Sequence, residues 1–160
     1  MVVDDDESVR DSLRKPLDGE GYQVILAANG LEAVETFRRK QSQIDLLLVD
    51  LNMPLKNGWA AVDRLLETNP GLPILIVTGQ PNQYEMAEAA GVSALVEKPI
   101  DVLALLNLIQ DLIAEPVQSR LPRTVHREFP FHHLRAAGFT SRYSWTERDI
   151  TPHAHWGLNE

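Results

Sequence analysis

Four short apolar runs in this chain each stop at a residue with a polar function. Residues 1–3 run into Asp4 and Asp5, and residues 46–49 into Asp50. Residues 74–77 run into Thr78, and residues 94–96 are closely followed by Lys98 and Pro99. In an open parallel α/β sheet every strand ends on the same edge, and ligands bind in the crevice beyond that edge. Three carboxylates, a hydroxyl and an ammonium from distant parts of the chain then converge. That combination suits a cation and a phosphate.

The pattern between the runs supports such a sheet. Apolar residues recur at helical spacing at Val9/Leu13/Leu17, Leu31/Val34/Phe37, Val62/Leu65/Leu66 and Val102/Leu105/Leu106/Ile109/Ile113. β-rich runs at 22–27, 46–49, 74–77 and 94–96 are nearly continuous in apolar character, as expected of parallel strands covered on both faces. Gly19 and Gly21, Asn29-Gly30, residues 69–73 and Gly91 punctuate the elements, and Asp101 is a plausible N-cap for the last helix. Five βα units in residues 1–115 make a doubly wound α/β domain, a five-stranded parallel sheet with helices on both faces. Pro16 predicts a kink or an early end to the first helix, because it removes a backbone donor.

The 160 residues leave room for one full domain and an appendage. Residues 1–115 carry nine Lys/Arg and nineteen Asp/Glu, a balance of −10. Residues 116–160 carry six Lys/Arg and four Asp/Glu, a balance of +2, and hold all five histidines and six of the ten aromatics. The shift places a boundary near Glu115-Pro116. The net charge of −8 argues against non-specific nucleic-acid binding, which relies on basic residues displacing phosphate counterions. No apolar stretch approaches the ~20 residues of a membrane helix, so no membrane insertion is expected. No signal peptide is visible, and the absence of cysteine excludes disulfides and thiolate chemistry. A cytoplasmic location fits these features.

Asp4, Asp5 and Asp50 form the central constellation. Two carboxylates ~5 Å apart repel by about 3 kcal/mol at an effective dielectric of ~20, so three together favour a cation between them. Oxygen-only ligands point to Mg²⁺, or Mn²⁺. Taken singly, each residue has a plainer explanation. Asp4 to Glu7 would suit the first helix's N-terminus, Asp50 could be a loop carboxylate, and Thr78 could bond its own loop. Asp45 is the internal control, because it begins the strand that Asp50 ends and belongs at the opposite pole. Gly79 lets a ligand approach the backbone beside Thr78, and Lys98 before Pro99 can be held by a cis X–Pro bond.

Val2-Val3-Asp4-Asp5, Asp50-Leu51-Asn52-Met53-Pro54 with Gly58, Val77-Thr78-Gly79 and Glu97-Lys98-Pro99 together resemble the receiver domain of two-component response regulators, of the stand-alone chemotaxis-regulator type. The resemblance covers residues 1–115 and implies the flavodoxin-like strand order 2-1-3-4-5. It implies Asp50 as phosphoacceptor, and Mg²⁺ held by Asp5, Asp50 and the Asn52 backbone carbonyl, with Asp4 acting through water. Thr78 and Lys98 would contact the phosphoryl oxygens, and Asn52 and Gln80 would tune its lifetime. The implied donor is a sensor histidine kinase or phosphotransfer protein. The implied readout is a downstream protein at the face built from the fourth helix, fifth strand and fifth helix, without direct DNA binding. The chain would catalyse its own phosphorylation and dephosphorylation.

Three features depart from the family pattern. The first strand is short, with only residues 1–3 before the acidic pair, as if trimmed. Leu95 stands where many members carry a mobile aromatic. Residues 116–160 show no pattern of a DNA-binding or enzymatic output domain. Two other functions compete with the receiver reading. A Mg²⁺-dependent aspartyl-phosphate hydrolase of the haloacid dehalogenase type would want an acid two residues after the nucleophile, where this chain has Asn52. A binding module would keep the fold and never take phosphate.

Residues 116–160 read as linker and tail, partly disordered or loosely docked. Residues 117–130 are linker-like, 134–138 suggest a helical turn, and 139–145 alternate like one strand. His126, His132, His133, His153 and His155 lack helical metal-ligand spacing, so a disordered or loosely docked tail is favoured over a metal site. Leu103 and Leu108 are expected outside the core stripe of the last helix, available to a partner or to the tail.

Overall fold

The computed structural model describes residues 1–53, 58–115 and 131–136. Its elements run β1 (Val2–Val3), α1 (Glu7–Gly19), β2 (Leu26–Ala27), α2 (Gly30–Lys40), a short 3₁₀ turn (Gln41–Gln43), β3 (Leu47–Asp50), α3 (Gly58–Thr68), β4 (Ile74–Thr78), α4 (Tyr84–Ala89), β5 (Ala94–Glu97), α5 (Val102–Ala114) and β6 (His132–Leu134). The strands form one sheet in the order β2-β1-β3-β4-β5-β6, with every pairing parallel. This is the flavodoxin-like order with one strand added at the β5 edge.

Strand alternation divides the interior into two cores. Leu47 and Val49 of β3, Ile74 and Ile76 of β4, and Leu95 of β5 point to one side. There they meet Val34 and Phe37 of α2, Val62 and Leu65 of α3, and Ala87 of α4. Leu48, Leu75, Val77 and Val96 point to the other side, against Leu13 and Leu17 of α1 and Leu105, Ile109 and Leu112 of α5. Both faces of the central strands are therefore dry, which accounts for their unbroken apolar runs.

Capping sets where the helices begin. Asp6 accepts the Ser8 N–H at 2.8 Å, and Asp101 accepts the Ala104 N–H at 3.0 Å as its sequence position suggests. At α2 the cap is reciprocal: Asn29 accepts from the Glu32 N–H at 2.9 Å, while Glu32 accepts from the Ala28 N–H at 2.8 Å. Gly21 and Gly91 take positive φ after α1 and α4, at 84° and 73°.

Several expectations need correction. The sheet has six strands among the described residues, because residues 132–134 pair with β5, so Leu134 lies in a strand rather than a helical turn. The run at 22–27 forms a strand only at Leu26–Ala27. α1 passes through Pro16 and continues to Gly19. The lost donor falls in the last turn, and the Pro16 carbonyl still accepts the Glu20 N–H at 3.2 Å. Leu108 is only 1% exposed and belongs to the α1/α5 core, whereas Leu103 is 70% exposed as expected. A stripe counted at i, i+3 and i+4 is narrower than the face that α5 buries. Residues 117–130 and 139–145, and His126, His153 and His155, lie outside the described residues.

Candidate functional site

Parallel pairing carries the polar strand ends to one edge. Asp4 follows β1, Asp50 closes β3, Thr78 closes β4 and Lys98 follows β5. Asp45 lies before β3, at the other pole, where its charge acts on the Met1 amine. That amine donates to the Leu46 carbonyl at 2.7 Å, and burial lowers its pKa to about 6 despite Asp45.

Asp4, Asp50 and Thr78 are all but enclosed, at 2%, 4% and 1% exposure, while Asp5 is open to solvent. Oxygens of Asp4, Asp5 and Asp50 lie within 4.8 Å of one another. The Lys98 ammonium bridges two of them, donating to Asp4 Oδ2 at 3.3 Å and Asp50 Oδ2 at 3.1 Å. The Lys98–Pro99 peptide is cis.

Each acid is held by local backbone. The Asp6 N–H donates to Asp4 Oδ1 at 2.9 Å, and the Asn52 N–H donates to Asp50 Oδ1 at 3.1 Å. Both are side-chain turns that an Asp makes with the residue two positions on. Thr78 behaves alike, its hydroxyl accepting the Gln80 N–H at 3.0 Å. Thr78 is also tied to Lys98, whose N–H donates to the Thr78 carbonyl at 2.9 Å.

Two contacts come from tertiary structure alone. Arg10, on the first turn of α1, donates from Nη1 to the carbonyls of Asp4 at 2.7 Å and Asp5 at 3.0 Å. It fixes the backbone that carries the acidic pair; the one available signal is a cation a turn and a half after two acids. Gly58 has the second role. A Cβ there would stand 2.6 Å from the Asp50 carbonyl oxygen and 3.0 Å from Leu51 Cα. Only glycine lets α3 start so close to the end of β3.

The electrostatics follow from enclosure. Burial raises the Asp4 pKa above its ordinary 3.8, and the Asp50 charge adds to the rise, against the Asp6 N–H and Lys98. Burial acts to lower that of Lys98, but the hydrogen bonds and charges of Asp50 and Asp4 outweigh it and leave the value above 10.5. The Ser8 hydroxyl and N–H, both bonded to the exposed Asp6, lower its pKa.

The donor set fits a hard divalent cation. Oxygens around an ion with bonds of ~2.1 Å lie up to ~4.2 Å apart, so the observed separations need only small side-chain rotations. No histidine or sulfur joins this acidic group, and it is the sole metal-capable cluster among the described residues. Asp4, Asp5, Asp50, Thr78 and Lys98, all singled out from the sequence, thus meet at one edge. Asn52 lies beside them, its side chain 3.7 Å from where a Gly79 Cβ would stand.

Comparison with known proteins agrees with this geometry. The family described as the response regulator receiver domain matches residues 1–110. "Response regulator MprA" of Mycobacterium leprae (strain TN) is 36% identical over 115 residues, covering 71% of this chain and 50% of that protein. The chain spans about half the length of the curated relatives it matches. Among solved structures, a response regulator receiver domain protein (CheY-like) from Methanospirillum hungatei JF-1 aligns with a TM-score of 0.65 and 28% identity, over 70% of this chain and 90% of that one. The chemotaxis protein CheY4 of Vibrio cholerae aligns with a TM-score of 0.62 and 30% identity, over 69% and 94%.

Proposed function

This chain belongs to the family of response regulator receiver domains, and from that premise we propose that it accepts a phosphoryl group on Asp50 from a phosphohistidine of a sensor histidine kinase or phosphotransfer protein. An Asp50 carboxylate oxygen attacks phosphorus in line. The new bond is O–P, the P–N bond breaks, and the imidazole leaves with the electron pair and takes up a proton. The observation that carries this reading is the setting of Asp50. Its carboxylate is nearly enclosed, aimed by the Asn52 N–H and held against the Lys98 ammonium, with two further acids beside it.

Asp5, Asp50 and the Asn52 carbonyl would hold Mg²⁺ (or Mn²⁺), with Asp4 acting through water. When bound, the ion supplies charge neutralisation for the incoming phosphoryl oxygens. Lys98 would serve the same end, its ammonium already within reach of Asp50 Oδ2. Thr78 donates a hydrogen bond from its hydroxyl to a phosphoryl oxygen. Asn52 and Gln80 flank the water path that sets the lifetime of the acyl phosphate, and the chain thereby catalyses its own phosphorylation and its reversal.

Phosphorylation replaces a monoanion by a group of about two negative charges. Moving a two-state equilibrium from 1:99 to 99:1 takes ~5.5 kcal/mol. Charge-assisted hydrogen bonds of ~1.5–3 kcal/mol each, from Lys98 and Thr78, reach that order. Thr78 closes β4 and Lys98 follows its neighbour β5, so the output is read at the α4, β5 and α5 surface by a protein target, in the cytoplasm and without direct DNA contact. Among the described residues no helix is long and apolar enough to cross a membrane.

Incubation with acetyl phosphate and Mg²⁺ tests the proposal. Labelling that persists in wild type and vanishes in Asp50→Asn supports it. Absence of label in folded wild type refutes it in favour of a module that binds without taking phosphate. Rapid turnover of small phosphomonoesters would instead indicate a hydrolase, for which Asn52 lacks the acid.

A further inference from the structure

The described tail segment occupies the edge of β5. His132–Leu134 adds in parallel, with Ala94 opposite His132, Leu95 opposite His133 and Val96 opposite Leu134. The His132 N–H donates to the Ser93 carbonyl at 3.1 Å. Side chains alternate across the sheet as in any strand. Phe131 packs on the core beneath α4, and Leu134 packs on the core beneath α5.

The α4 side carries the specific contacts. Phe131 meets Tyr84 edge-to-face at 5.1 Å between ring centroids, and His133 meets the same ring at 5.3 Å. Glu97 fastens the segment twice. One carboxylate oxygen lies 2.9 Å from His133 Nε2, and the other accepts the Ala136 N–H at 3.4 Å. Aromatic, imidazole and aliphatic positions therefore each have a built counterpart on the β5 edge.

An open strand edge is a template for another extended chain, and proteins recognise peptides by adding a strand in this way. From the paired register, the two-ring contact with Tyr84 and the double bond to Glu97, we infer that the β5 edge is a strand-addition site for an extended peptide. Its ligand has an aromatic residue, an imidazole or basic residue two positions on, and an aliphatic residue at the fourth. Residues 131–136 are its intramolecular occupant, an autoinhibitory cover that a partner peptide of the same pattern must displace. Fifteen residues, 116–130, separate the segment from Glu115. They can span up to ~50 Å, ample for the segment to close on its own domain and to act at high effective concentration. The inference does not depend on phosphorylation of Asp50.

The test uses the full chain and a fluorescent synthetic peptide of residues 129–138. The double variant Phe131→Asp/His132→Pro loses the ring against Tyr84 and the donor to Ser93. It should bind the peptide at least tenfold more tightly than wild type, whose own segment holds the edge. A peptide carrying the same two changes should not bind, and Glu97→Gln in the double variant should weaken binding severalfold. Thermal unfolding shows whether the double variant is folded; should it not be, Phe131→Asp alone serves, with the same expectation. A folded variant that ignores the peptide overturns the proposal, as does equal binding by wild type. Sedimentation of wild type as a dimer that the double variant does not form overturns the intramolecular assignment. Acetyl phosphate labelling of Asp50 in each variant reads the other proposal separately.

Discussion

Exchanging glycine for alanine at two positions of this domain should give opposite results, and the difference measures how tightly β3 and α3 are joined at the site. At Gly58 the new Cβ falls 2.6 Å from the Asp50 carbonyl oxygen and 3.0 Å from Leu51 Cα, both backbone atoms that cannot rotate away. Carbon–oxygen contacts settle near ~3.3 Å, so the end of β3 or the start of α3 must move by about 0.7 Å. Overpacking of this kind costs ~1–3 kcal/mol. For a domain of this size that lowers Tm by roughly 5–12 °C. The displaced atom belongs to the backbone of the proposed phosphoacceptor. Misplacement by ~1 Å can cost ~100-fold in rate, so labelling of Asp50 by acetyl phosphate should slow by roughly 10–100-fold. Gly19 closes α1 without a positive φ, and no neighbouring atom lies within 4 Å of where its Cβ would stand. Alanine there should raise stability by about 0.5 kcal/mol through helix propensity. Differential scanning calorimetry and labelling kinetics on the two variants check the pair. Equal Tm shifts, or a Gly58→Ala protein labelled at the wild-type rate, would refute the close-approach argument.

Other consequences follow from the charges. Lys98→Met leaves Asp4 and Asp50 facing each other without their cation. Because the lysine side chain is 27% exposed, the loss should be about 1–2 kcal/mol in urea unfolding without Mg²⁺. The folded-state pKa of Lys98 is raised, so its contribution is full below pH 10.5 and is lost as pH rises through the folded value. Wild type and Lys98→Met should therefore converge in strongly alkaline urea titrations; a constant gap refutes the assignment. Asp4 is also raised, chiefly by burial, and the folded state then holds its proton more firmly than the unfolded chain. Wild-type stability falls as pH rises from 3.8 through the folded value, so Asp4→Asn should gain on wild type across that window in Mg²⁺-free buffer. A gap independent of pH contradicts this. Mg²⁺ at ~100 times its Kd should stabilise wild type by about 2.7 kcal/mol, and Asp5→Asn should abolish most of the Tm rise. An unchanged rise would remove Asp5 from the ion site.

Much of this architecture was legible in the residues alone, because parallel strands buried on both faces demand unbroken apolar runs and every run ends at the same edge. Asp4, Asp50, Thr78 and Lys98 were readable as neighbours at one edge for that reason, and Asp45 as one at the opposite pole. Local chemistry also announced the cap at Asp101. What stands across from a side chain is a different kind of information. Leu108 has an ambiguous place on a helical wheel, and only the packing of α5 against α1 and the sheet enclosed it. Arg10 is one of several charges on α1 until the end of β1 is brought beneath it. Gly58 shows its constraint only when the Asp50 carbonyl lies against it. The sixth strand is the clearest case: Phe131 to Leu134 alone has neither the length nor the alternation to specify a strand. It becomes one because β5 presents unpaired backbone groups, Tyr84 a ring and Glu97 a carboxylate. Periodicity in a chain records which face of an element is dry, whereas the partner that dries it is chosen by the fold.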